Sequence, residues 1–426
     1  MPILHAGMKR IKRMIGGDGL SRSYYAFLLV HTSFLICVKL PGVFINTLLL
    51  GESNDVNVVM LYNLVFFLAG AVSMVAAAQV LHRTNPGFVA VIGVIGYNIL
   101  YLLLILLIVT GQVVSDYHIV LAVLTGVADG FYWLSYGNLL SETTQTETRD
   151  SGIAIISICM SVVNLTAPLL AGWIISAVGN ITGYLVVFAM AFAVSVVTSL
   201  LAFRLPKSRA PVSERVDYRL TLRMTWRDRA LRYSILAQGN KGIREGVFTF
   251  ILSVILYQII SSELLIGINT FVAALVSILS FTIMSRVLSP KNRVGYMLFA
   301  TAILSAAAAV CLFRLDVMMI FGFTVLNSFF AGFIENSSYS IFLDRLQAVP
   351  MLQNRQPEIF AVNECVLVSG RGIGIAIILL MSFWFGSSLT VQMISLVILS
   401  ITQFLTVLFC RMSEQALLKQ ESGVIE

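Results

Sequence analysis

Twelve long apolar segments, separated by short polar breaks, constrain the fold of this 426-residue chain more than any other feature. Each segment is close to the ~20 residues that an α-helix needs to cross the hydrocarbon core of a bilayer. Long unbroken apolar runs also exclude a transmembrane β-barrel, whose strands alternate apolar and polar side chains. The predicted spans lie near residues 24-50, 56-80, 88-110, 118-140, 152-178, 181-203, 234-259, 264-285, 295-314, 317-342, 358-384 and 388-410.

The overall composition agrees with this interpretation. Hydrophobic residues make up 58% of the chain and charged residues 12%, whereas soluble domains carry roughly 45–50% and about 25%. The five cysteines all fall inside apolar segments at irregular spacing, so neither disulfides nor a metal site is expected. The sequence therefore predicts an all-α integral membrane protein.

The basic residues collect on one side of the predicted membrane topology. Of the 28 Lys and Arg residues, 23 lie in loops on the side of the N-terminus, one lies on the opposite side and four lie within spans. Because basic loops stay in the cytoplasm, we expect a multi-pass protein of the cytoplasmic membrane with both termini inside the cell. The formal charge of +7 then follows from topology and does not indicate a nucleic-acid partner.

A basic segment, residues 204-233, divides the spans into six and six. The predicted organisation is a cytoplasmic N-terminal segment (1-23), a six-helix bundle (24-203), this cytoplasmic linker, a second six-helix bundle (234-410) and a cytoplasmic tail (411-426). The linker spacing predicts a helix that lies on anionic lipid headgroups, with apolar and basic side chains on separate faces. The apolar residues of this helix are Leu220, Met224 and Leu231, and the basic ones are Arg219, Arg223 and Arg227.

The two halves carry matching residues, which indicates an internal duplication. At a constant offset of 202 residues, Gly130, Phe131, Ser135 and Glu142 correspond to Gly332, Phe333, Ser337 and Asp344. At an offset of 204 residues, Pro41-Gly42-Val43-Phe44 corresponds to Glu245-Gly246-Val247-Phe248. Many transporters are built from two such repeats with the substrate path between them, so the repeat predicts two pseudo-symmetric bundles.

These features together resemble the major facilitator superfamily, as a divergent bacterial branch, over essentially the whole chain. The loop after the second span retains Arg83, the equivalent loop of the second half contains Arg286, and Ala167-Pro168-Leu169-Leu170-Ala171-Gly172 is similar to the Gly-Pro motif of the family's antiporters. The resemblance implies alternating access, and the motif favours export. Residues expected to act in gating or conformational change are Pro41, Arg83, Pro168, Gly172 and Arg286.

Eight ionisable residues fall inside predicted spans, where each costs ~2.5–3.5 kcal/mol unless it is paired or hydrated. They are Lys39, Asp129, Lys241, Arg244, Glu245, Glu335, Glu364 and Arg371, and their formal charges sum to zero. Six belong to spans one, four, seven and ten, which line the central cavity in the family resembled. The alternative for Arg244 with Glu364 or Glu245 is a static ion pair between helices.

Neighbouring side chains complete the predicted substrate- or ion-binding site. Trp133 and Tyr136 follow Asp129 at helical spacing, and Asn336 adjoins Glu335. The predicted site therefore consists of Lys39, Asp129, Trp133, Tyr136, Arg244, Glu245, Glu335, Asn336, Glu364 and Arg371. His31 is expected to be a hydrogen-bonded packing residue instead.

The predicted function is secondary active transport of a small molecule, coupled to protons through the buried carboxylates. No ATP-binding loop and no catalytic constellation is present, so we expect neither a primary pump nor an enzyme, and no cofactor beyond a proton gradient. The expected partners are the substrate and membrane lipids, and the expected state is monomeric. Two alternatives remain: uptake of a sugar or organic anion held by Lys39, Arg244 and Arg371, and a non-transporting membrane sensor or integral enzyme.

Overall fold

The structure, a computed structural model, describes residues 20–144, 146–205, 218–313, 316–349 and 356–421. In these ranges the regular structure is helical, with one short 3-10 turn at Val114–Tyr117. The helices are α1 (Arg22–Ser53), α2 (Val56–Arg83), α3 (Pro86–Val109), α4 (His118–Thr143), α5 (Thr146–Val178), α6 (Asn180–Ala202), α7 (Tyr218–Arg227), α8 (Arg229–Phe248), α9 (Ile251–Ile260), α10 (Glu263–Val287), α11 (Arg293–Val310), α12 (Val317–Ala348), α13 (Gln356–Phe385) and α14 (Leu389–Glu421).

The number of spans agrees with the prediction. Within the described residues, twelve helical stretches are long and apolar enough to cross a membrane, and the all-α membrane fold is confirmed. The seventh span, Arg229–Ile260, consists of α8 and α9. The two helices are separated at Thr249 and Phe250, because the backbone of Phe250 (φ −134°, ψ −28°) leaves the α-helical region. The last helix runs on to Glu421, into the segment predicted as a cytoplasmic tail.

The chain packs as two compact units. The described parts of residues 1–48, 72–213 and 263–271 form the first unit, and those of 49–71, 214–262 and 272–426 form the second. Helices α1, α2 and α10 therefore each contribute to both units. The division of the sequence into 24-203 and 234-410 remains a prediction about the duplicated halves.

In the first unit, α3 packs closely against α4 because two glycines of α3 face it. A Cβ at Gly93 would lie 2.8 Å from the Ala128 carbonyl oxygen, and one at Gly96 would lie 2.7 Å from the Ala128 side chain. Side chains any larger than hydrogen would separate the helices. This close approach places Tyr97 of α3 beside Asp129 of α4.

In the second unit, glycines make a similar contact between α8 and α13, which is here called the glycine seam. A Cβ at Gly370 would overlap the Gly239 carbonyl, and one at Gly374 would overlap the Ile243 carbonyl. Two glycines of α8 complete the seam: Gly242 faces the Leu367 carbonyl, and Gly246 faces Arg371. The seam holds the polar faces of the two helices together.

Candidate functional site

Asp129 is the centre of the polar group in the first unit. Its Oδ1 atom accepts hydrogen bonds from the Tyr97 hydroxyl and the Trp133 Nε1, each 3.0 Å long. Trp133 reaches Asp129 because the two residues are one helical turn apart on α4. Lys39 of α1 lies within electrostatic range of the same carboxylate. The structure thus brings together three predicted site residues and adds Tyr97, which the spacing along α4 could not reveal because Tyr97 lies on another helix.

Aromatic rings extend this group along α4. Trp133 and Tyr136 meet edge to face, with ring centroids 5.3 Å apart. The Tyr136 ring also lies 4.4 Å from the ring of His31, a fully buried residue of α1. His31 Nδ1 is hydrogen-bonded to the Tyr132 hydroxyl at 3.0 Å, which confirms the expectation of a hydrogen-bonded packing residue. His31 therefore contacts the predicted site, although it was not assigned to it.

Glu245 is the centre of the charged group in the second unit. Its carboxylate pairs with Lys241 one turn earlier on α8, at 3.5 Å, and with Arg371 of α13, at 2.5 Å. The Arg371 guanidinium also lies 5.1 Å from the centroid of the Phe67 ring. The glycine seam makes the interhelical pair possible, since Gly246 lets α13 approach at the position of Arg371.

Arg244 makes neither of the ion pairs considered for it. Its Nη2 donates a hydrogen bond to the Asn327 side-chain oxygen on α12, and its guanidinium lies 4.0 Å from the centroid of the Phe248 ring. Neither alternative ion pair, with Glu364 of α13 or with Glu245, is present. Consecutive residues on a helix point ~100° apart, so Arg244 points away from the face that Glu245 turns toward α13. Arg244 consequently faces α12, whereas Glu245 faces α13. Asn327 carried no signal in the sequence that connects it to Arg244.

Two further carboxylates lie near this network without joining it. In the part of the chain that the structure describes, neither Glu335 of α12 nor Glu364 of α13 makes a side-chain hydrogen bond or a salt bridge. Both lie within electrostatic range of Lys241 and Arg371. Asn336, predicted beside Glu335, is exposed on the neighbouring face of α12.

The predicted gating residues occupy different environments. Pro41 lies inside α1 and Pro168 inside α5. Gly172 lies close to Glu263, the first residue of α10, where a Cβ on Gly172 would be 2.5 Å from the Glu263 carbonyl oxygen. The Glu263 carboxylate accepts a 2.8 Å hydrogen bond from the Tyr184 hydroxyl. The other two predicted residues are Arg83, exposed at the end of α2, and Arg286, which lies in α10 with its side chain outside the part that the structure describes.

The eight charged residues thus form two groups. Lys39 and Asp129 belong to the first unit, and the other six belong to the second. The formal charge of each group is zero. Each group contains at least one carboxylate in a membrane-spanning helix, where binding of a proton or a cation would change the charge of the whole group.

Twelve spans with charged groups in their interior define a multi-pass protein of the transporter class. The sequence model of the Major Facilitator Superfamily matches residues 27–350, and the chain belongs to this family.

The chain is also similar to individual proteins. The chain is 26% identical over 377 residues to the protein YqgE of Bacillus subtilis (strain 168), a match that covers 88% of this chain and 86% of the relative. Among solved structures, a bacterial homologue of the human lysosomal transporter Spinster has a TM-score of 0.67 at 13% identity, covering 93% of this chain and 97% of that chain. The nucleoside transporter NupG has a TM-score of 0.69 at 11% identity, covering 92% of this chain and 100% of that chain. The chain therefore has the fold of secondary transporters.

Proposed function

We propose that this protein is a proton-coupled secondary transporter of the cytoplasmic membrane that exports a small molecule by alternating access. The observation that carries the proposal is a pair of carboxylates, Glu335 and Glu364, that have no ion-pair partner among the residues the structure describes. They lie beside the paired residues Lys241, Glu245 and Arg371. Residues that stabilise the fold as static ties are expected to be paired, as Glu245 is. Carboxylates that exchange protons must instead remain able to change charge.

Electrostatics links these carboxylates to the rest of the group. When Glu335 and Glu364 are both ionised, the six residues have zero formal charge, and binding of one proton makes the group positive. Inside a span, an uncompensated unit charge costs several kcal/mol of free energy. Its appearance therefore favours a compensating movement of substrate, ion or helix. This coupling of charge to conformation is what a proton-driven carrier requires.

Export is supported by the contact around Pro168 and Gly172. This segment, which is similar to the antiporter motif of the family, packs backbone to backbone against the start of α10, where a Cβ at Gly267 would lie 2.9 Å from the Pro168 carbonyl oxygen. The organic-anion alternative has less support. Arg244 already donates to Asn327, Arg371 pairs with Glu245, and Lys39 lies within electrostatic range of Asp129, so an anion would have to compete with these groups.

The proposal is tested in proteoliposomes that contain the purified full-length protein. Three probes represent different substrate classes: ethidium (an organic cation), uridine (a nucleoside, the class named for NupG) and fluorescein (an organic anion). We expect an imposed pH gradient to drive accumulation of at least one probe, and reversal of the gradient to reverse the direction. Flux that does not depend on the pH gradient would contradict proton coupling. Absence of flux for all three probes would exclude these three substrate classes.

Two substitutions separate coupling from binding. Glu335→Gln and Glu364→Gln are expected to abolish gradient-driven accumulation, while exchange of labelled for unlabelled probe at equal pH continues. The matched control is Asp344→Asn, because Asp344 lies on the same helix as Glu335 but forms a partly exposed pair with Arg293. Normal coupling in both glutamine variants would exclude these carboxylates from the mechanism.

A further inference from the structure

Along the chain, helix α7 follows the sixth candidate span, which ends at Ala202, and directly precedes the seventh, which begins at Arg229. The side chain of Asp228 caps α8 by accepting a hydrogen bond from the Leu231 backbone N–H at 2.7 Å. Because only Asp228 separates α7 from α8, the end of α7 is held at the first residue of the seventh candidate span.

One side of α7 is docked on the protein. Thr221 and Thr225, one turn apart, are buried, and the helix packs against α8 and α13. At its first residue, burial together with the nearby Glu358 carboxylate raises the pKa of the Tyr218 hydroxyl above its ordinary value. The orientation of α7 is therefore set by protein contacts.

The opposite side of α7 presents an arginine stripe, which consists of Arg219, Arg223 and Arg227. These residues follow one another at helical spacing, are all exposed, and have no acidic residue beside them on the helix. Along one edge of the stripe, the side chains of Leu222 and Trp226 are 43% and 41% exposed. Of the three residues predicted for the apolar face, Leu220 is 36% exposed, whereas Leu231 is buried within α8 and Met224 lies toward the protein.

We propose that the arginine stripe, together with Leu222 and Trp226, is a binding site for anionic phospholipids. Guanidinium groups bind phosphate through two parallel hydrogen bonds, and three of them on one face give a site for negatively charged headgroups. Tryptophan and leucine at the edge match the layer between headgroups and acyl chains, where an amphipathic ring is most stable. This inference does not depend on the proposed transport function.

A lipid explains the whole surface better than a soluble acidic partner does. A soluble partner would account for the arginines, but α7 is fixed where a span enters the bilayer and carries its exposed apolar side chains beside the charges. Two more exposed or half-exposed arginines, Arg229 and Arg232, continue the positive surface at the first turn of α8. Polybasic surfaces next to a span attract anionic lipids of the cytoplasmic leaflet in this way.

The test uses full-length protein in nanodiscs of phosphatidylcholine and phosphatidylglycerol in equal amounts, with bromine on the chains of one lipid or the other. Bromine quenches nearby tryptophan, and subtracting the signal of Trp226→Phe isolates Trp226 from the other three tryptophans. We expect brominated phosphatidylglycerol to quench Trp226 with at least about fivefold preference over phosphatidylcholine. Equal quenching by the two lipids would overturn the proposal, and so would a Trp226 that neither lipid quenches, because a protein segment would then cover it.

Three sets of variants assign the preference to the stripe. R219Q/R223Q/R227Q is expected to lose the preference, whereas R219K/R223K/R227K, which keeps the charge, retains most of it. The matched control R83Q/K291Q/R411Q removes the same charge from three exposed positions elsewhere on the side predicted to be cytoplasmic, and is expected to behave as wild type. Preference that survives in the first set, or that falls equally in the control, would show that the stripe is not the site.

Discussion

At the residue scale, Glu245 differs from the other carboxylates of its unit because two cations share it. Its contacts with Lys241 and Arg371 join a pair within one helix to a pair between helices. Charged side chains that are mostly buried cost free energy when unpaired, and removing one partner leaves the others uncompensated. Glu245 is thus the residue whose loss should most affect stability.

Glu245→Gln keeps the size of the side chain and removes its charge, leaving Lys241 and Arg371 uncompensated. We expect a loss of about 2–4 kcal/mol in the free energy of unfolding, below the value for fully buried pairs because these side chains are 11–21% exposed. Thermal unfolding in detergent measures the effect. Asp344→Asn, in which the carboxylate is 46% exposed, serves as control and should cost no more than about 1 kcal/mol. Equal melting of wild type and Glu245→Gln would mean that water already compensates the two cations.

At this scale, contacts within one helix were predictable from the sequence, whereas contacts between helices were not. The contact of Asp129 with Trp133 follows from helical spacing alone, as does that of Lys241 with Glu245. Tyr97 and Asn327 were missed because their partners lie on other helices, whose relative rotation and depth are set by packing. For the same reason neither ion pair considered as an alternative for Arg244 is present.

At the element scale, the glycine seam determines how close α8 and α13 approach. Gly370→Ala is expected to destabilise the protein by about 1–3 kcal/mol, because the new Cβ would overlap the Gly239 carbonyl, a backbone group that cannot move independently. The matched control is Gly322→Ala in α12, where a Cβ meets nothing within 4 Å. That change should be neutral or stabilise by up to about 1 kcal/mol through helix propensity. Thermal unfolding of both variants provides the comparison, and equal melting temperatures would show that the seam is not tightly packed.

The elements themselves were mostly predictable, because hydrophobic length is a local property of the sequence. All twelve spans were found. The break between α8 and α9 was not predicted, because residues 249 and 250 are a threonine and a phenylalanine inside an apolar segment and neither is a helix-breaking residue. The orientation of α7 was predicted incorrectly because its docked face uses Thr221 and Thr225, which no hydrophobic pattern identifies.

At the scale of the whole molecule, family membership and the transporter fold follow from the sequence, whereas the composition of the two units does not. Residues 49–71 pack with the second unit, although they contain the end of α1 and the start of α2, whose other parts belong to the first unit. Residues 263–271, the start of α10, pack with the first unit, although the rest of α10 belongs to the second. Such contacts join residues far apart in the sequence, and neither the hydrophobic pattern nor the repeat contains them. Orientation in the membrane, by contrast, is encoded locally in the loops.

The distribution of basic residues predicts that the N-terminal side of the protein faces the cytoplasm, because 23 of the 28 Lys and Arg lie in loops on that side. Single cysteines in a background without the native five cysteines test this prediction. Gln112→Cys, in the exposed connection between α3 and α4, should react with a membrane-impermeant maleimide in intact cells. Lys291→Cys, exposed between α10 and α11, should react only after the membrane is permeabilised. The opposite pattern would show an inverted protein, and would also place the arginine stripe of α7 on the outer leaflet, away from the lipids of the cytoplasmic face.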